Sequence, residues 1–304
     1  MNNNTNIYEF SDAKGIVVSG DIHGDFTQLV FKTCVSKKMT DTLIIVAGDC
    51  GFGFHNPGYY EDIYTKLSSR LAKANNWIVF VRGNHDNPAY FDGQQVNYER
   101  WKAVPDYSVV KACGHTILCV GGAISADRIW RIRQEFEDEY FRRLKKNYRC
   151  PAPARYSLSP ALYWYNERPV YDQAQLEAIS KDHSVDVVIT HTAPSCCEKV
   201  NHPKIQDWLI KDEDLLNDIK HERKVMDDIY TFLKEHCHPL RYWYYGHFHK
   251  FWHSEIEGVH YQLLDTMQLH QLEPDNDDFN KQSEKEYKEK LDELAKLAAK
   301  FLIF

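Results

Sequence analysis

A small set of side chains in this sequence has the types and positions to hold divalent cations. They are Asp21 and His23 in SGDIHG, Asp49 in AGDCG, Asn84 and His85 in RGNHD, His191 in THTAP, and His247 and His249 in YGHFH. Carboxylate oxygens mixed with imidazole nitrogens suit Mn, Fe, Zn, Co or Ni better than Ca or Mg, which favour all-oxygen shells. Asp21 and His23 are separated by one residue, as are His247 and His249. On an extended strand end such a pair points to one side, so both members can bind one ion. The set exceeds what a single tetrahedral ion can use. Two ions sharing a carboxylate is the economical expectation. Any one of these histidines alone is more often structural than a ligand, and it is their joint placement that carries the reading.

That placement comes from the elements around them. Apolar runs rich in β-branched and aromatic residues recur at 15–20, 42–48, 77–83, 116–122, 185–190, 241–246 and 259–265. Runs this apolar read as strands buried on both faces. Helices are expected over 26–38, 59–74, 172–182 and 212–236, and the alternation of strand and helix predicts an α/β layered fold. Most of the motifs begin with the Gly that ends a strand, and the run 185–190 leads directly into His191. In open α/β sheets ligands gather beyond the carboxyl ends of the strands. Glycine there allows a sharp turn and a close backbone approach. The polar groups are therefore expected at one edge of the sheets.

The ordered series GDIHG, GDCG, GNHD, THTAP and GHFH resembles the calcineurin-like metallophosphoesterase superfamily, over about residues 15–268. One GDxHG alone would be weak, but five motifs in the right order are specific. The resemblance implies a four-layer α/β/β/α sandwich of two mixed sheets with a dinuclear centre. It implies that Asp21, His23 and His249 bind the first ion, that Asn84, His191 and His247 bind the second, and that Asp49 bridges them. His85 would lie near the substrate as a catalytic residue without binding metal. The expected reaction is phosphoester hydrolysis by a hydroxide bridging two cations about 3.5–4 Å apart, with His85 giving a proton to the leaving oxygen. Arg82 is expected to fork onto phosphate oxygens. Manganese is the first expectation for the metal, with Fe, Zn, Ni or Co as alternatives. A phosphomonoesterase is the first reading, and a phosphodiesterase or nuclease acting on nucleotides or nucleic acid is the alternative. A non-catalytic scaffold is disfavoured, because no expected ligand position is empty. The chain has GDCGFG and His191-Thr192-Ala193-Pro194 where eukaryotic protein Ser/Thr phosphatases have GDxVDRG and HGG. With GGAIS at 121–125, it is more similar to bacterial and phage members. This leaves the group that orients His85 unidentified.

Residues 1–272 are expected to form the catalytic domain, with 128–170 as an insertion near the site. In that insertion Arg128, Arg131, Arg133, Arg142, Arg143, Lys145, Lys146 and Arg149 could grip a nucleic-acid backbone, and Tyr156, Tyr163, Trp164 and Tyr165 could stack bases. Interspersed Glu135, Glu137, Asp138 and Glu139 favour the plainer reading, an amphipathic helix and an aromatic loop packed on the core. Nucleic acid is thus the less favoured partner beside a phosphorylated substrate. Residues 273–304 read as an acidic linker and a helix with Leu291, Leu294, Leu297, Ala298, Phe301 and Leu302 on one face, suited to docking on the domain or on a second copy of the chain. The 304 residues carry a formal charge of −7, so bulk electrostatics do not make this a polyanion binder. Cys50 reads as a small buried side chain, and Cys196–Cys197 as structural or incidental. The 8 cysteines include no CxxC pair, the N-terminal stretch is polar, and no apolar run approaches a membrane span. Reduced thiols, a cytoplasmic location and no membrane are the expectation.

Overall fold

The structure, a computed structural model, describes residues 5–134, 163–197, 205–272 and 278–301. Each apolar run becomes a strand: β2 (Gly15–Ser19), β3 (Thr42–Ala47), β4 (Trp77–Val81), β8 (His115–Val120), β9 (Val187–Thr190), β10 (Tyr242–Tyr245) and β12 (Val259–Leu263). Shorter or more polar strands join them: β1 (Ile7–Glu9), β5 (Asn97–Tyr98), β6 (Trp101–Ala103), β7 (Ser108–Ala112), β11 (Trp252–Ile256) and β13 (Leu269–Leu272). They build a seven-stranded sheet, β1-β7-β8-β9-β10-β12-β11, and a six-stranded sheet, β13-β2-β3-β4-β6-β5. Within each sheet the central strands run parallel, β2-β3-β4 in one and β8-β9-β10-β12 in the other. Their carboxyl ends therefore share an edge.

The period of two along each strand explains the burial on both faces. Ile16, Val18, Leu43, Ile45, Val79 and Val81 meet Ile117, Cys119, Val187 and Ile189 of the other sheet. The alternate residues Val17, Ile44, Val46, Ile78 and Phe80 pack with Leu29 and Leu67 of the helices on the outer face. On the far side Val188, Trp243 and Leu118 pack on Leu176, Met226 and Ile229. The result is the expected four-layer arrangement of two mixed sheets with flanking helices.

The helices start where capping chemistry allows. Asp25 accepts from the Gln28 N–H to open α1 (Phe26–Val30), which runs on as a π-helical turn, Phe31–Ser36, rather than as one regular helix. Pro57 stands in the first turn of α2 (Pro57–Ala74), which stops at Asn75 in the left-handed region, φ 53°. A third helix, α3, covers residues 128–134. Asp172 caps α4 (Gln173–Asp182). The long helix expected over 212–236 is α6 (Leu215–Glu235), preceded by a separate α5 (Ile205–Lys211). The C-terminal helix is α7 (Asp278–Phe301). It docks through polar contacts in its first half: Asn280 exchanges two bonds with the Gln271 backbone, and Glu286 pairs with Lys37 at 2.6 Å. Leu291 and Leu294, expected to dock, are 46% and 52% exposed. The side chains of Leu297, Ala298, Phe301 and Leu302 lie outside the described residues, as do 135–162 with Arg142, Arg143, Lys145, Lys146, Arg149 and Tyr156, and the acidic stretch 273–277.

Trp101 is 1% exposed and its ring meets Phe26 at 4.9 Å and Phe80 at 5.1 Å, tying β6 to α1 under the site edge. Trp101→Ala should cost about 3–5 kcal/mol, the usual range for emptying a large aromatic site, read as a lower urea midpoint at unchanged slope.

Candidate metal centre

The motif side chains converge where the two sheets present their carboxyl ends. Asp21 and His23 follow β2, Asp49 follows β3, Asn84 and His85 follow β4, His191 follows β9, and His247 and His249 follow β10. They form two abutting groups. In the first, His249 Nε2 lies 2.9 Å from Asp21 Oδ2 and 3.0 Å from His23 Nε2, and donor atoms of these three residues and Asp49 all lie within 4.8 Å of one another. In the second, Asn84 Oδ1 is 3.0 Å from His191 Nε2 and 3.0 Å from His247 Nδ1, and His191 Nε2 is 3.3 Å from Asp49 Oδ1. Asp49 belongs to both groups.

The convergence does not arise from strand alternation, as the spacing suggested. His23, Asp49, His247 and His249 all sit beyond their strands with positive φ: 46°, 46°, 70° and 49°. Non-glycine residues are uncommon there, and such strain collects at functional sites. The turn at His247–Phe248–His249 also divides its two histidines between the groups rather than giving both to one ion. Neighbouring glycines make the room. A Cβ on Gly246 would overlap Asp21 Oδ1, one on Gly48 would overlap the His191 ring, and one on Gly83 would overlap Asp49.

The donor set fits cations on the inventory of protons alone. His191 Nδ1 faces the Ala47 carbonyl at 2.8 Å, so Nδ1 carries the hydrogen. A neutral His191 then aims its Nε2 lone pair at Asn84 Oδ1 and Asp49 Oδ1, both acceptors. The Asn84 amide is fixed by its donation to Ser125 Oγ at 2.8 Å, since that hydroxyl donates to Glu167 at 2.6 Å. In the first group, buried Asp21 Oδ2 receives no hydrogen bond, and one proton at most fits between the facing Nε2 atoms of His23 and His249 beside it. Lone pairs crowded this way need a positive charge between them. Ligand atoms about 2.1 Å from an ion and at right angles to each other stand about 3 Å apart, the spacing seen here.

Electrostatics point the same way. Burial pushes the Asp49 carboxyl up, but the His85 and His191 rings outweigh it and hold it well below the usual range. Burial likewise opposes the low position of Asp21, which His191 and His249 enforce. His191, despite a burial cost, is drawn up to about 10 by Asp49 and Asp21, so with no metal it takes the missing proton. Burial and the charge of His191 hold His247 well below its ordinary value.

One expectation changes. Arg82 does not face the site. It is 5% exposed, with Nη2 on the Asp106 carboxylate at 2.8 Å and Nη1 on the Glu167 carbonyl at 2.9 Å. Its position at the end of β4 leaves it under the sheet edge, where it ties three segments together. His85 sits beside the donor groups. Burial is the main cause of its drop to about 4, with Arg131 adding to it against the pull of Asp49. Its Nε2 accepts from Arg131 Nη2 at 3.2 Å and lies 3.8 Å from Asp49 Oδ2. His85 lines the same opening without joining either group.

Some contributors were not singled out from sequence. Asp86, inside GNHD, accepts from the N–H groups of Cys50, Gly51, Phe52 and Gly83 at 2.7–3.0 Å, clasping the GDCG and GNHD turns together. Its place in the motif was a signal for it. Glu167 and Ser125 hold Asn84, and Glu222 accepts from Ile124 N–H and Thr192 Oγ1, both at 2.5 Å. Nothing in the sequence marks these carboxylates. Trp164 donates to the His85 carbonyl at 3.3 Å, and Arg128 is clamped by Asp212 and Asp218 at 2.6 and 2.5 Å. Cys50 is fully buried with its thiol on the Val81 carbonyl. A bond from Cys197 draws the Cys196 thiol down to about 7.

Gly246→Ala should displace Asp21 while leaving the core intact. Bound metal per chain is expected to fall at least about 10-fold by elemental analysis, with the thermal midpoint shifted by only a few degrees. Full metal content in that variant would show that Asp21 is not a ligand.

The sequence pattern known as calcineurin-like phosphoesterase matches residues 15–251. Solved structures give more distant likenesses. TT1561 of Thermus thermophilus aligns with TM-score 0.45 and 11% identity, over 86% of this chain and 98% of that one. The phosphopantetheinyl hydrolase PptH from Mycobacterium tuberculosis gives 0.37 and 15%, over 86% and 98%. GAP50, described as the anchor in the inner membrane complex of Plasmodium, gives 0.36 and 13%, over 82% and 70%.

Proposed function

This chain belongs to the calcineurin-like phosphoesterases, and from that premise we propose that it is a phosphomonoesterase working with two divalent transition-metal ions, manganese first among them. The observation that carries the reading is the pair of donor groups abutting at Asp49, with more lone pairs than protons to separate them. Asp21, His23 and His249 would hold one ion, Asn84, His191 and His247 the other, and Asp49 both. When bound, the ions would acidify water to make a nucleophile and offset charge on the phosphoryl oxygens.

The chain's own residues do the rest. The Ala47 carbonyl fixes the His191 tautomer, and Glu167 through Ser125 fixes which end of the Asn84 amide faces inward. The Asp86 clasp keeps the turns carrying Asp49 and Asn84 in register. His85, flanked by Arg131 at its ring and Trp164 at its carbonyl, lines the approach. The Arg131 guanidinium beside His85 adds positive charge to this approach, which supports the monoester reading over a diesterase or nuclease.

We take residues 1–272 as the catalytic domain, since the strands β11, β12 and β13 complete the two sheets up to Leu272. The 7 described cysteines are free thiols, which supports a cytoplasmic reading, and no helix among the described residues is long and apolar enough to cross a membrane. The exposed Leu291 and Leu294 of α7 support contact with a second copy of the chain. A single monomeric mass in light scattering across concentrations would remove that contact.

Manganese-loaded protein should turn over para-nitrophenyl phosphate faster than its bis ester. Faster diester turnover would reverse the choice of substrate class. Asp49→Asn should lower turnover of both by at least about 100-fold, more than the loss of an outer-shell partner costs, with reduced metal content. Full turnover with full metal in that variant would refute a shared-ligand centre.

A further inference from the structure

We infer that Arg131 is the residue that grips the phosphoryl group and sets the preference for a monoester, a step that rests on the phosphoesterase reading. The arginine assigned that work by motif position, Arg82, is committed to Asp106 and to backbone carbonyls. Arg128 is likewise held between Asp212 and Asp218. Arg131 is the guanidinium that the described residues bring against a motif side chain, His85 Nε2.

Its geometry is that of a prepared fork. Nε donates to Asp127 Oδ1 at 2.7 Å, which fixes the plane of the guanidinium, and Nη2 reaches His85 at 3.2 Å. Nη1 makes no hydrogen bond among the described residues, so the Nη1–Nη2 edge keeps donors for a pair of oxygens. The side chain is only 12% exposed, so its rotamer is confined. Arg131 is also registered to the donor groups through the backbone. The Ser125 carbonyl accepts from Arg128 N at 3.3 Å to begin the turn into α3, while the Ser125 hydroxyl holds Asn84. The segment that orients Asn84 therefore also aims Arg131.

The charge argument follows. A phosphomonoester is a dianion at neutral pH and presents several non-bridging oxygens, whereas a diester is a monoanion with only two. A fixed guanidinium against the His85 ring, which itself lies 3.8 Å from Asp49, gains more from the first than from the second. Asp127 on its far side holds the fork without occupying its outer edge.

The test uses the full chain loaded with manganese and compares wild type with Arg131→Ala, Arg131→Lys and a neighbouring control, Arg133→Ala. Orthophosphate binding is measured by titration calorimetry, turnover on para-nitrophenyl phosphate and its bis ester, and metal content by elemental analysis. Arg131→Ala should weaken orthophosphate and raise KM for the monoester by about 10- to 100-fold, the range for a lost charge-assisted bond. Its diester constants should change less than about 3-fold, and metal content should stay at the wild-type level. Arg131→Lys should restore only part of the loss, and Arg133→Ala should match wild type. Unchanged orthophosphate affinity in Arg131→Ala, equal losses on both esters, or losses that track lost metal would each overturn the inference. Wild-type protein that binds metal and orthophosphate yet hydrolyses neither ester would instead strike the phosphoesterase reading and leave Arg131's grip on phosphate intact.

Discussion

Lone pairs facing lone pairs are the constraint on which the rest of this structure depends. Asp21 Oδ2 is buried without a hydrogen bond, the Nε2 atoms of His23 and His249 stand 3.0 Å apart, and His191 Nε2 faces two oxygen acceptors. A folded protein rarely buries unsatisfied acceptors together, because each costs of the order of 1–3 kcal/mol. Here Asp21 and His191 are fully buried, and four of the motif residues, His23, Asp49, His247 and His249, stand at positive φ. The surroundings must therefore over-determine the arrangement: glycines with no room for a Cβ, the Asp86 clasp, and the carboxylates of Glu167 and Glu222 behind Asn84 and Thr192. Positive charge among the donors relieves the conflict, as a proton on His191 does without metal and as two divalent ions would do more fully.

Neither sheet could build this alone. Asp21, Asp49 and Asn84 come from the six-stranded sheet, whereas His191, His247 and His249 come from the seven-stranded one. Their mutual distances are set by the apolar layer between the sheets, where Ile45 and Val81 meet Ile117 and Ile189. Interiors packed to crystal-like density resist small displacements. That rigidity is what transfers a separation fixed by valine and isoleucine side chains into a separation between ligand atoms. Bonds across the seam, such as His247 N–H to the Asp21 carboxylate and Gly122 N–H to the Arg82 carbonyl, carry the register to the loops themselves.

How much of this could be read from sequence depends on whether the relevant signal was local. The seven apolar runs named their strands because both faces of each are covered, so hydrophobicity alone marked them. β11 with its half-exposed residues and the two-residue β5 gave no such run, being defined by their partners instead. The donor residues were legible because Gly-Asp and Gly-His at strand ends are rare and were repeated. What held them was not legible. Glu167 reaches Ser125 across 42 positions of sequence and Glu222 reaches Ile124 across 98, and nothing near either carboxylate announces the pairing. The geometry of the pairs was not legible from spacing: alternation allows His247 and His249 on one ion, whereas left-handed turns divide them between the groups, as the resemblance implied.

The exchange of arginines shows why motif position alone misleads about charge. A guanidinium directly before a catalytic turn sits at the last residue under the sheet edge, where burial is nearly complete. Leaving a charge there without partners would cost several kcal/mol, so such an arginine must take its partners from the protein. Arg82 does so with Asp106 and the carbonyl of Glu167. An arginine that is to bind a substrate anion must keep an edge without partners, which is tolerable only where the opening to solvent supplies water in the substrate's absence. A helix at the rim meets that condition and the end of a central strand does not. Arg131 on α3, held at Nε by Asp127 and partly open, has the placement that the anion requires.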